Sequence, residues 1–217
     1  SRLISANAPS TVLNITLAWF ASTVIQPLLE FFTRKGVSTA FTLLAFVILF
    51  KIGEAFLGRM SLVFYKEIGF SNEQIATYSK LVSWGVTVLF ALVSGWFTAR
   101  FGIFKGLLIA GIAMASSNLM FSLMAYVGPE EWLFAITVII DGFTSAWSNV
   151  AFVAFLSTLC NRNFSATQYA LLASLGTLGR TLFASSSGQI VDALHGNWIL
   201  FFALTAFAVI PALLILI

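Results

Sequence analysis

The chain of 217 residues is 59% apolar and 9% charged, where a soluble domain carries about 25% charge. Its 23 Phe and 6 Trp are more apolar bulk than a wetted exterior could hide, which excludes a water-soluble globule. A net charge of +3 without a basic stripe excludes a nucleic-acid partner, and a single Cys160 and a single His195 exclude an intrachain disulfide and any Cys/His metal or cofactor site.

The chain opens on Ser1 rather than Met, with no signal-peptide pattern over residues 1–10, and is expected to be an edge within a longer protein. Residues 1–36 are expected to form a cytoplasmic linker. Over 10–35, Pro27 interrupts the run, and Leu28, Leu29, Phe31 and Phe32 alternate with Glu30, Arg34 and Lys35. That pattern predicts amphipathic helix lying in the membrane surface with a basic end in water. A seventh spanning helix over 12–29 is the alternative.

Six later stretches reach the ~20 mostly apolar residues that a spanning helix needs: 37–64, 71–97, 104–127, 132–159, 165–187 and 198–217. Polar or turn-forming breaks separate them, such as Lys66-Glu67-Ile68-Gly69 and Gly128-Pro129-Glu130-Glu131. Ser71 with Gln74, and Ser165 with Gln168, have the spacing of capping boxes. Residues 37–217 are therefore expected to form an all-α bundle of six transmembrane helices. Arg34, Lys35, Arg100, Lys105 and Arg162 fall on one side, against Lys66 and Arg59 on the other. The positive-inside rule makes the first side, with the linker, cytoplasmic.

Charges within the spans carry most of the functional signal, because each costs at least ~2.5–3.5 kcal/mol at mid-membrane. Lys51 and Glu54 share a face of the first span, and Lys80 lies in the second. Asp141 heads a stripe in the fourth span with Ser145, Ser148 and Asn149. In the fifth, Arg180 shares a face with Ala173 and Gly176, beside a looser stripe of Thr167, Gln168, Ser174, Thr181 and Ser185. Gly176 and Gly179 suit close helix packing. Four cations (Lys51, Arg59, Lys80, Arg180) against two acids (Glu54, Asp141) suit an anionic, carboxylate-bearing solute. The bland alternative is internal neutralisation, Lys51 with Glu54 and Asp141 with Arg180. With no metal-ligand spacing and no Cys/His pair, an enzyme is not expected.

Two stretches resemble known families. Gly95-Trp-Phe-Thr-Ala-Arg-Phe-Gly-Ile-Phe-Lys105 resembles the loop signature of the major facilitator superfamily, matching at Gly95, Arg100, Gly102 and Lys105 with Ala99 where Asp is usual. That weakened copy implies the loop between helices eight and nine, hence the second, C-terminal half of the fold. Phe155 through Arg180, Leu49 through Phe56, and Gly196-Asn-Trp-Ile-Leu-Phe-Phe202 resemble AmpG-type muropeptide permeases over about residues 25–217.

The resemblance implies proton-driven import of anhydro-muropeptides, anionic sugar–peptide fragments of peptidoglycan, from the periplasm across the bacterial inner membrane. It also implies a missing N-terminal six-helix half, and a place in cell-wall recycling and β-lactamase induction. On this reading Lys51, Lys80 and Arg180 are expected to meet substrate carboxylates. Asn149 and Gln168 would hydrogen-bond sugar or amide groups, and Glu54 or Asp141 would carry the coupling proton. Transport of another organic anion, or a non-transporting membrane subunit, stays open at this stage.

Overall fold

The computed structural model describes Thr16 and residues 18–216, and no strand occurs among the described residues. A π-helical turn, Ala21–Ile25, runs without a break into α1 (Gln26–Lys35), and Pro27, in the first turn of α1, has no N–H to bond the turn before it. The expectations that fall on 1–15 lie outside the described residues.

Beyond Gly36 follow α2 (Val37–Leu49) and α3 (Ile52–Glu67). A short α4 (Asn72–Ala76) then runs through a π-helical segment, Thr77–Val82, into α5 (Ser83–Phe101). Long helices α6 (Ile103–Val127), α7 (Glu131–Leu159) and α8 (Ser165–Ala193) come next. The last run is α9 (Trp198–Phe207) and α10 (Ile210–Leu216). Gly102 joins α5 to α6 at φ +95°, a backbone angle that side chains with a Cβ rarely adopt.

All six expected spans are helical. Five runs are long and apolar enough to cross a membrane: Val37–Glu67, Asn72–Phe101, Ile103–Val127, Glu131–Leu159 and Trp198–Leu216. The remaining span, α8, has the length at 29 residues, but its Ser, Thr and Gly content makes it more polar.

Three spans are interrupted, which the apolar pattern did not predict. The last breaks at Ala208–Val209, where Pro211 has no N–H to bond the carbonyl one turn back. The first breaks at Phe50–Lys51, with Lys51 at φ −91° and ψ 3°, outside the helical well. The second widens into the π-helical segment that carries Lys80.

The Ser71–Gln74 capping box forms as expected, each side chain bonding the other's backbone N–H. The Ser165–Gln168 box does not. Phe164 is the cap residue, and the Gln168 side chain is drawn away to α1 and the preceding loop.

Packing places α7 against α5 and α6, α8 against α2 and α3, and α9 against α6. Two aromatic cores result. One contains Phe31, Phe46, Phe50, Trp147 and Phe155, the other Phe64, Tyr65, Phe121, Phe134 and Phe202. In chain position, the buried polar side chains Lys51, Ser117, Asn118, Thr144 and Ser148 fall between the two. This polar belt crosses the first span (Val37–Glu67), α6 and α7 near their middles.

Candidate functional site

The belt begins at the break in the first span. Lys51 is the cap residue of α3, and Glu54 lies in that helix's first turn, where the helix dipole favours a negative charge. The Lys51 ammonium donates to Glu54 Oε2 at 2.6 Å, to Ser148 Oγ at 2.8 Å and to Asn149 Oδ1 at 2.7 Å. Those three bonds use all three of its donors. Its Nζ also stands 5.6 Å from the centre of the Phe152 ring.

Lys51 is buried and Glu54 mostly so, with side chains 7% and 12% exposed. Such a pair survives in a dry interior only when its remaining hydrogen-bonding capacity is met. Here Ser148 closes the ring by donating to Glu54 Oε2 at 3.2 Å. The pull of α7 on Lys51 gives a physical reason for the helix break.

On the open side stands Arg180, from α8. Its side chain is 51% exposed, and one guanidinium nitrogen lies 3.7 Å from Glu54 Oε1. At that length the contact is an ion pair without a good hydrogen bond, so the guanidinium keeps its donors for another partner. Asn149 is exposed beside it, with its Oδ1 on Lys51 and its amide N–H groups without a protein partner among the described residues.

Gly176 and Gly179 make this approach possible. A Cβ on Gly179 would stand 2.9 Å from Ile48 Cγ2, and one on Gly176 would stand 3.2 Å from Phe152 Cζ. The small-residue packing expected for both is what the helices use. The hydroxyls of Thr177, Thr181 and Ser185 bond carbonyls of their own helix, although all three residues are exposed.

About two turns along α7 from Ser148 lies a second group. Asp141 accepts a hydrogen bond from Ser117 Oγ at 3.2 Å, and it is not paired with Arg180, which faces Glu54. A narrow cavity joins Glu54, Leu57, Met114, Asn118, Asp141, Thr144 and Ser145. Sequence reasoning missed Ser117 and Asn118, although Ser116-Ser117-Asn118 is a polar interruption inside an apolar span.

Lys51, Glu54, Asn149, Arg180 and, through the shared cavity, Asp141 are thus brought together. Lys80 is exposed on the π-helical segment and makes no ion pair among the described residues. Gln168 is elsewhere. Its Nε2 donates to Pro27 O at 2.9 Å and to Glu30 Oε2, while its Oε1 accepts from Asn161 N at 2.7 Å.

Gln168 belongs to a latch that ties α1 to the loop between α7 and α8. Asn161 Nδ2 donates to Glu30 Oε1 at 2.6 Å, and Arg34 reaches both Glu30 at 2.9 Å and Leu159 O, at the end of α7, at 2.6 Å. The Asn161 amide, helped by Gln168 and Arg34, holds the Glu30 carboxyl below its ordinary pKa. Of the loop-motif residues, Gly102 makes the turn, while Arg100 and Lys105 are exposed with no carboxylate at Ala99 to hold them. Gly95 faces open space.

The chain is similar to a putative transporter AmpG 4 of Rickettsia conorii, at 36% identity over 202 residues, 93% of this chain and 48% of that protein. Its likeness to the anhydromuropeptide permease of Escherichia coli K12 is 32% over 194 residues, 89% of this chain and 38% of the relative. A putative transporter AmpG 3 of Rickettsia prowazekii is 32% identical over 160 residues, 74% of this chain and 38% of that protein. The chain spans about half the length of the first of these relatives, and less of the other two. No family model matches it.

Proposed function

Because the chain belongs to the AmpG-type permeases, transporters of the major facilitator superfamily, we propose that it is the C-terminal half of a permease that imports anhydro-muropeptides across the inner membrane in exchange for dissipating a proton gradient. The N-terminal six-helix half would complete the cavity, and alternating access would come from rocking of the two halves about the polar belt. Peptidoglycan recycling is the process such import would serve.

The observation that carries this reading is Arg180, half-exposed at mid-span above a neutralised Lys51–Glu54 pair. A guanidinium is suited to bidentate recognition of a carboxylate. Asn149 would hydrogen-bond a sugar or amide group beside it. Lys51 acts by positioning Asn149 and Glu54, and Lys80 offers a second cation along the substrate's path. Glu54 or Asp141 would hold the coupling proton, since a carboxyl group inside a span exchanges protons only where a wet cavity reaches it. We assign Gln168 to the latch instead of the substrate.

The test is uptake of labelled anhydro-muropeptide into vesicles that hold the full-length protein under an imposed proton gradient. Saturable uptake that an uncoupler abolishes, and that loses its pH-gradient dependence in Glu54→Gln or Asp141→Asn, supports the proposal. Correctly inserted protein without uptake would sink the substrate; gradient dependence intact in both variants would sink the two proton assignments.

A further inference from the structure

The cavity beside Asp141 is shared by two acids and one unpartnered amide. Glu54 lines it from α3, Asn118 from α6, and Asp141, Thr144 and Ser145 from α7, with Leu57 and Met114 completing the wall. Its volume, about 10 Å³ for the centre of a water molecule, is room for one water. Asn118 is wholly buried, and neither its Oδ1 nor its Nδ2 has a protein partner. Gly53 admits the amide so close to the first span, since a Cβ there would stand 3.3 Å from Asn118 Nδ2. A buried amide without partners is costly, so a water beside it is favoured.

Each acid keeps one oxygen that takes no hydrogen bond among the described residues. Glu54 Oε2 accepts from Lys51 and Ser148, while Glu54 Oε1 has only the loose 3.7 Å contact to Arg180. Asp141 Oδ1 accepts from Ser117, and its second oxygen has no donor. A water that accepts from the Asn118 amide has two protons left, one for each carboxyl. Charge gives the bridge a direction. Both cations of the belt stand at Glu54, and Asp141 has no ion pair among the described residues. Of the other elements packed on α7, α6 brings Ser117 and Asn118 at this level, and the π-helical segment brings Lys80, which is exposed. Tyr65, in the first span, lies within electrostatic reach of Asp141. In the empty protein the coupling proton therefore belongs on Asp141. When a carboxylate of the substrate takes Arg180, Glu54 loses one of its two cations and becomes the better base of the two.

We propose that Asn118 is a positioning residue for the coupling proton: it seats one water between Asp141 and Glu54, and that water relays the proton from the first acid to the second. The Asp141 carboxyl gives its proton to the water oxygen, and the water gives one of its own to Glu54 Oε1. The water is restored, and the net charge of the belt is unchanged. Once the substrate leaves, Arg180 returns to Glu54 and expels the proton. The proposal rests on the reading of the belt as the substrate and proton-coupling site, and it deepens that reading by using the two acids in sequence.

The experiment compares two kinds of flux in vesicles holding the full-length protein. Gradient-driven uptake of labelled anhydro-muropeptide needs the proton to pass through and leave. Exchange of labelled for unlabelled muropeptide, without a gradient, lets the carrier return with the proton still aboard. Asn118→Leu is close in size and removes a costly amide, so it should fold, with a melting temperature no lower than that of wild type. Its driven uptake is expected to fall about 10-fold or more, while exchange continues. Asn118→Ser keeps a polar group with room for water, and should retain most of the driven uptake. Driven uptake at the wild-type level in Asn118→Leu overturns the relay, as does an equal loss of uptake and exchange, which would mark a structural role. A loss in folded Asn118→Ser as large as in Asn118→Leu overturns it too. A structure of the full-length protein that resolves ordered water needs no muropeptide, and should show one water within hydrogen-bond distance of Asn118, Asp141 and Glu54. Wild type without uptake, but with that water in place, sinks the substrate reading alone. Proton-driven uptake with a dry cavity, or with a water that reaches only one carboxyl, sinks the relay alone.

Discussion

Lys51 holds the site together by being wholly occupied. Three hydrogen bonds tie one ammonium to α3 and α7, and the helix break at Phe50–Lys51 is where that side chain turns inward. Removing one member of a buried pair leaves an uncompensated charge, at a cost of about 3–5 kcal/mol. Lys51→Met is therefore expected to lower the melting temperature sharply, and the double variant Lys51→Met/Glu54→Leu should recover much of the loss. A double variant no more stable than the single one would show that Lys51 acts through packing on Phe152 and not through charge. Arg180 is expected to behave differently, because half of it is exposed and its contact to Glu54 is loose. Arg180→Ala should leave stability nearly intact while raising the half-saturating muropeptide concentration about 10–100-fold, the worth of a charge-assisted bond. Arg180→Lys keeps the charge but not the planar fork, and should fall between. Uptake kinetics on folded protein check both.

At the level of elements, the latch between α1 and the α7–α8 loop converts a carboxyl group into a structural tie. Glu30 is held below its ordinary pKa by Asn161 first, then by Gln168 and Arg34. A carboxyl whose folded pKa is depressed contributes stability above its unfolded value and loses it as pH falls through the folded one. Wild type should melt above Glu30→Gln at neutral pH, and the gap should close as the solution is acidified below the ordinary carboxyl range. A gap constant with pH would mean that Glu30 contributes through shape instead of charge. The latch was half legible beforehand. Alternating Leu28, Leu29, Glu30, Phe31, Phe32 and Arg34 gives the amphipathic helix from its period alone. Gln168 reads as a capping residue from local spacing, and only tertiary contact with Glu30 and Pro27 overrides that. The same division runs through the site. Lys51 with Glu54, and the Gly176/Gly179 packing face, follow from helical spacing, whereas the pairing of Arg180 with Glu54 and the placing of Asn118 against Asp141 depend on which helices become neighbours. Length and apolarity locate six spans, but the break at Lys51 has no proline to announce it.

Across the whole molecule, the charges sort to two ends. α1 with its basic last turn, the Gly102 turn and the 160–164 loop share one end: Arg34 reaches Leu159 O, and the Phe104 and Phe155 rings lie 6.4 Å apart. At the other, Trp198 donates to Glu67 at 2.8 Å and Tyr78 to Glu131 at 2.8 Å, with Gly69 beside Pro129. The first end carries Arg34, Lys35, Arg100, Lys105 and Arg162; the second carries Lys66 and, nearer mid-span, Arg59. Because insertion leaves the Lys- and Arg-rich end in the cytoplasm, the first end is expected to face inward. The chain's one thiol, Cys160, sits at that end, but burial pushes its pKa up and slows its reaction with a maleimide. Arg162 is exposed two residues further on and makes the better reporter. In full-length protein cleared of other reactive thiols and carrying Cys160→Ser with Arg162→Cys, a membrane-impermeant maleimide should label inverted vesicles and spare right-side-out cells. Labelling from the outside alone would invert the bundle. It would then place Glu67, Glu130 and Glu131 in the cytoplasm, and import would have to begin at the end closed by the latch.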